Sequence, residues 1–66
     1  MKISREALVA EGLALVEERG LAKLNMRALA DRLGMQQSSL YWYVRNKDEL
    51  MGLMIASLYR QALGQA

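Results

Sequence analysis

The sequence predicts an all-α fold, a three-helix helix-turn-helix unit followed by the start of a fourth, connecting helix. Three observations carry this. Pro and Cys are both absent from the 66 residues, so no ring interrupts a helix and no disulfide or thiolate metal site supports the core. Apolar residues recur at helical spacing in blocks that close at Gly20 and Gly34, where a chain can leave a helix through the left-handed conformation. Ser4, Asn25 and Asn46 stand where blocks begin, and each has a side-chain oxygen that can cap a helix N-terminus. The length allows one domain with a small core.

Helix 1 is read as about residues 4–19, with Leu8, Val9, Leu13, Leu15 and Val16 on its apolar side and Glu11, Glu17 and Glu18 toward solvent. Gly12 lies inside it at a cost of roughly 1 kcal/mol relative to Ala, which is explained either by close approach of another helix or as a tolerated defect. Leu21 to Leu24 form a connector. Asn25 then caps helix 2, Met26 to Leu33, with Leu29, Ala30 and Leu33 inward. The turn Gly34-Met35-Gln36 leads into helix 3, about Gln37 to Val44, and two short helices about a tight glycine turn make a helix-turn-helix.

Helix 4 opens with Asn46-Lys47-Asp48-Glu49. Asn46 can cap it and Glu49 can reach back, as in a capping box. Asp48 and Glu49 also suit the positive end of the helix dipole, so they are read as caps and not as catalysts. Beyond them Leu50, Met51, Leu53, Met54, Ile55, Leu58, Tyr59, Ala62 and Leu63 spread over more than half of the helix circumference. Three short helices cannot cover so wide an apolar surface. It calls for a second chain or for further polypeptide beyond the ending LGQA, and the second reading is preferred. The chain thus divides into residues 1–46, the helix-turn-helix domain, and residues 47–66, helix 4 leading onward.

The formal net charge of +2 conceals an asymmetry. Between Arg19 and Lys47 stand six cations (Arg19, Lys23, Arg27, Arg32, Arg45, Lys47) against one anion, Asp31. The rest of the chain holds three cations (Lys2, Arg5, Arg60) against six anions. A basic middle favours a polyanion partner on that side. Catalysis is disfavoured: His and Cys are absent, and there is no Gly-rich phosphate loop and no carboxylate cluster for metal or acid-base work. No catalytic residue, metal ligand or bound cofactor is expected in this segment. No apolar run approaches the roughly 20 residues of a membrane span. The start MKISRE lacks the apolar core of a signal peptide, so a cytoplasmic protein is expected.

The basic segment ends in QQSSLYWYVRNK, residues 36–47, which holds three of the four aromatic side chains together with two Gln, two Ser, one Arg, one Asn and one Lys. Only Leu40 and Val44 read as core, four apart on one helix face. Tyr41 and Trp42 lie about 100° apart, so both cannot share that face. Amides and hydroxyls read base edges, whereas aromatic hydroxyls and cations hold phosphates. Helix 3 is therefore expected to lie in the major groove of double-stranded DNA, with Gln37 and Ser39 at the end that enters and Ser38 between them. Tyr41 and Trp42 can donate to phosphate oxygens at the groove wall. Tyr43 could touch a base or pack under the helix. Arg27, in the first turn of helix 2, can reach a guanine edge or a phosphate. Lys47 joins a cation to the free N–H groups of helix 4, a phosphate clamp, and Asn25 can add a phosphate bond to its capping role. The rival reading is a helical module that docks on another protein. The face of helix 4 suits it, but the QQSSLYWY surface then has no use.

The succession of helix, Gly, capped helix 2, Gly and SSLYWYVRNKDEL resembles the N-terminal domain of the TetR family of bacterial repressors, over nearly the whole chain from Ser4 to about Leu58. Its most specific part is Leu40-Tyr41-Trp42-Tyr43-Val44 followed by Asn46-Lys47 and Leu50, and Leu29-Ala30 before Leu33-Gly34 matches the helix 2 pattern. The family usually has Phe where Val44 stands. Trp42 and Val44 look most like the tetracycline-repressor branch. The resemblance implies base contacts at the matching positions Gln37 and Ser39, with Ser38 between them, and a DNA contact at Arg27. It also implies a homodimer on a palindromic operator, and a C-terminal ligand and dimerisation domain outside this chain. A small-molecule inducer bound there would shift the two reading heads out of register.

Overall fold

The computed structural model describes residues 3–64. Lys2, counted among the cations above, and the last two residues of LGQA lie outside the described residues. The architecture is all-α. The elements follow as α1 (Arg5–Arg19), a single 3-10 turn (Leu21–Lys23), α2 (Met26–Leu33), α3 (Gln37–Leu40) and α4 (Lys47–Gly64).

The chain's punctuation acts where the sequence places it. Ser4 Oγ accepts from the Ala7 N–H at 3.0 Å and starts α1. Gly20, at φ +90° and ψ 159°, has the positive φ that favours glycine but not the left-handed helical conformation expected there, and it lets the chain leave α1 for the 3-10 turn, which drops Leu24 into the core. Asn25 Oδ1 accepts from the Ala28 N–H at 2.7 Å and starts α2. Gly34, at φ +70°, ends it. The Gly34 N–H bonds the Asp31 carbonyl at 3.1 Å and the Met35 N–H bonds the Ala30 carbonyl at 3.0 Å. These two bonds form the left-handed helix stop that favours glycine.

The core is one cluster drawn from every helix: Leu8, Val9 and Leu15 of α1, Leu24 of the connector, Met26, Leu29 and Ala30 of α2, Leu40 and Val44 about α3, and Leu50 and Met54 of α4. Leu13, Val16 and Leu33, expected inward, are only partly buried, while Met26 is buried outright. Gly12 is buried where α1 crosses α4: a Cβ there would lie 3.2 Å from Met54 Sδ and 3.9 Å from Leu50 Cδ1. The close approach expected at Gly12 is thus made by α4. The first half of α4 belongs to this core. Past Met54 it leaves Ile55, Leu58, Tyr59 and Leu63 more than half exposed.

Two expectations change. Helix 3 does not run to Val44. After Leu40 the bonds tighten, with the Trp42 N–H on the Ser39 carbonyl at 3.2 Å and the Tyr43 N–H on the Leu40 carbonyl at 2.9 Å. Aromatic and β-branched residues in succession hold a helix poorly, and the chain must open to reach the Asn46 cap. Val44 still reaches the core, its N–H bonded to the Leu40 carbonyl at 3.1 Å. Glu11, read as solvent-facing, is half-buried, and both it and Glu18, which stays exposed as read, are bound by Arg32 of α2. Arg32 Nε donates to Glu11 at 2.8 Å, and its two terminal nitrogens donate to the two Glu18 carboxylate oxygens at 3.0 and 2.6 Å. This fork pins α2 to α1. Hydrogen bonding and charge from Arg32 hold the Glu18 carboxyl below its usual range, and the same bonds raise the guanidinium.

Candidate nucleic-acid interface

The α3 element is set by one anchor. Leu40 is fully buried and Val44, one turn on, is also at 0% exposure. With that face turned inward, the remaining side chains point out: Gln36, Gln37 and Ser38 are exposed, and Ser39 is half-buried. Tyr41 is 44% exposed and Trp42 is 88% exposed. An indole that open to water is rare in a folded domain unless a partner covers it. Gln37 Nε2 donates to the Tyr41 hydroxyl oxygen at 3.3 Å. Gln36, Ser39, Trp42 and Tyr43 line one open groove together with Ile3, Leu33, Gly34 and Met35.

Tyr43 packs under the helix. It is half-buried against the core, and its hydroxyl oxygen accepts weakly from the Ile3 N–H at 3.5 Å. Tyr43 also lines the groove beside Ser39 and Trp42. Gln36 lies in the turn that leads into helix 3. Its exposure and its place on the groove beside Ser39 and Trp42 put it with the candidates, and its amide at the mouth of the turn was the signal available.

The cations divide. Among the described residues the ion pairs are those of Arg32, so the six-cation segment carries one charge already satisfied within the protein. Arg27, Arg45 and Lys47 stay exposed. Asn25 uses its Oδ1 as the cap of α2, which leaves its amide N–H groups to donate outward. At the start of α4, Asn46 Oδ1 accepts from the Glu49 N–H at 2.8 Å, and Glu49 Oε1 accepts from the Arg45 N–H at 2.9 Å. The reciprocal cap expected there therefore forms one residue early, on Arg45. It locks the turn that presents Lys47.

Among the described residues no group of three His, Cys, Asp or Glu could hold a metal ion. No helix of this structure is long and apolar enough to cross a membrane.

The sequence pattern described as "Bacterial regulatory proteins, tetR family" matches residues 8–54, from α1 to Met54 of α4. The chain is 39% identical over 57 residues to the class C tetracycline repressor protein of Escherichia coli, covering 86% of this chain and 26% of that protein. It is 46% identical to a TetR-family transcriptional regulator from Streptomyces coelicolor of known structure, with a TM-score of 0.78 over 82% of this chain and 31% of the other. Against the crystal structure of TetR from Acinetobacter baumannii the identity is 36% and the TM-score 0.80, over 85% and 30%. The chain thus spans between a quarter and a third of the length of these relatives. Transcriptional regulators of this kind are not enzymes. The chain belongs to the TetR family of bacterial regulatory proteins, and is the helix-turn-helix domain with which such a transcriptional regulator binds DNA.

Proposed function

We propose that this domain is one of two identical reading heads of a ligand-responsive repressor that binds a palindromic operator in the cytoplasm. α3 enters the major groove, where Gln37, Ser38 and Ser39 meet base edges and Tyr41 and Trp42 hold the flanking phosphates. Arg27 meets a guanine edge or a phosphate from α2. Lys47 clamps a phosphate at the start of α4, and Asn25 donates its free amide N–H to another. The observation that carries this reading is the contrast at the end of α3: Leu40 is wholly buried while Trp42, two residues on in the turn that follows, is 88% exposed beside amides and hydroxyls.

The apolar part of α4 beyond Met54 continues, in this reading, into a C-terminal domain that holds the inducer and the dimer interface. Its exposed Ile55, Leu58, Tyr59 and Leu63 are surface for that domain to cover. A module that docks on protein through α4 alone leaves the α3 surface without a role.

The test has two parts. Binding of the chain to mixed duplex DNA should fall steeply with salt, as counterion release requires, and a protein-docking module would bind no DNA. The longer protein should then be compared with this chain on a palindromic duplex and on one with a scrambled half-site. Two joined heads gain about 10²–10⁴-fold through effective concentration. Their recognition helices must sit roughly 34–36 Å apart, one turn of the duplex. If the isolated chain binds as tightly as the longer protein and ignores the second half-site, the two-headed reading is wrong.

A further inference from the structure

On α3 the side chains of Gln37 and Tyr41, one helical turn apart, are hydrogen-bonded: the Gln37 amide nitrogen donates to the Tyr41 hydroxyl oxygen at 3.3 Å. A glutamine amide has two N–H donors and one carbonyl acceptor. Unengaged, it can meet adenine with one acceptor and one donor, since the adenine edge offers an N6–H donor and the N7 acceptor. It can also turn its two N–H groups toward guanine, whose O6 and N7 are both acceptors. Once Tyr41 holds one N–H, a single donor and the carbonyl remain. That set fits adenine and fails guanine.

We propose that Tyr41 is a specificity-determining residue that acts through Gln37: by occupying one amide N–H it makes Gln37 select adenine against guanine. This rests on the reading of Gln37 as a base contact. Accepting from Gln37 leaves the Tyr41 O–H free to donate to a phosphate, and hydrogen bonds in such a series polarise one another in the same sense. One hydroxyl then ties the phosphate that sets the register to the amide that reads the base. Tyr41 is placed for both tasks because its backbone still has helical angles (φ −65°, ψ −13°) while its ring is 44% exposed.

The experiment begins with selection from randomised duplexes at low salt, using the chain, Gln37→Ala and Tyr41→Phe. Competition follows among four duplexes that differ only at the base pair Gln37 selects. Gln37→Ala should lose an adenine preference of roughly 5–150-fold. Tyr41→Phe should bind every duplex more weakly. Its adenine-to-guanine ratio should also fall by roughly two- to tenfold, the worth of one hydrogen bond, with pyrimidines still rejected. The ratio compares duplexes on one protein, so partial unfolding lowers all four alike and cannot imitate the effect. If Gln37→Ala loses the preference and Tyr41→Phe keeps the wild-type ratio, the proposal fails and the base contact of Gln37 stands. If Gln37→Ala keeps the wild-type preference, both fail.

Discussion

Leu40 and Trp42 stand two residues apart and should fail in opposite ways when cut to alanine. Leu40 has no exposed surface and is the only side chain of the four-residue α3 that enters the core. Its truncation loses the full transfer energy of a leucine and leaves a cavity in the core cluster. Burial as complete as this puts Leu40→Ala at about 2–5 kcal/mol. A chain of 66 residues has roughly 3–10 kcal/mol of stability in all, so the variant should sit near its unfolding threshold. At about 4–8 °C per kcal/mol for a domain this small, the midpoint should fall by about 8–40 °C. Trp42 is 88% exposed, and its removal should change stability by no more than about 0.5 kcal/mol. DNA binding should be lost in both, but at low temperature only Leu40→Ala should recover it as the folded fraction rises. Circular-dichroism melts paired with DNA titrations at two temperatures make the comparison. Equal melting points for the two variants would show that the faces of α3 are assigned the wrong way round.

Lys47→Ala should weaken binding to all duplexes alike and reduce the salt slope by about 1, and an unchanged slope would remove Lys47 from the phosphate contacts. Gly12 in α1 and Gly52 in α4 should respond differently to alanine. Gly52 has nothing within 4 Å of a new Cβ and should gain about 1 kcal/mol of helix propensity, whereas at Gly12 the contact with Met54 Sδ at 3.2 Å should cancel that gain. A melting-point rise at Gly12 as large as at Gly52 would show that α4 does not need the close approach. The Arg32 fork should be acid-sensitive. Because the folded-state pKa of Glu18 lies below its ordinary value of 4.5, its contribution is present above that pH and is lost as pH falls through the lowered value. The melting-point difference between the wild type and Glu18→Gln should therefore shrink below pH 4.5 and with added salt, since both groups are near water. A difference constant from neutral pH into acid would exclude the ion pair as its source.

Sequence alone determined the features that depend on neighbours a few residues away. Ser4, Asn25 and Asn46 cap because their oxygens reach N–H groups three residues on, and Gly20 and Gly34 turn the chain because only glycine takes positive φ at no steric cost. Leu40 and Val44 were legible as core, and Tyr41 and Trp42 as surface, because helix geometry cannot turn all four inward. Composition and the QQSSLYWYVRNK stretch pointed to DNA for a chemical reason, the pairing of base-reading amides with phosphate-binding groups. The tertiary structure alone decided what distant residues do to one another. Arg32 counted as one more surface cation until α2 lay against α1 and brought it to Glu11 and Glu18, 21 and 14 residues away. Gly12 called for a close neighbour or a tolerated defect, and only the packing shows that the neighbour is α4, at Met54. Tyr43 packs beneath α3, half-buried against the core, and that helix ends early, where the pull of Val44 into the core and the start of α4 outweigh helical continuation. Caps and turns are encoded by local stereochemistry, but partners across helices exist only once the burial of Leu8, Leu29, Leu40 and Leu50 in one core has fixed how the helices cross.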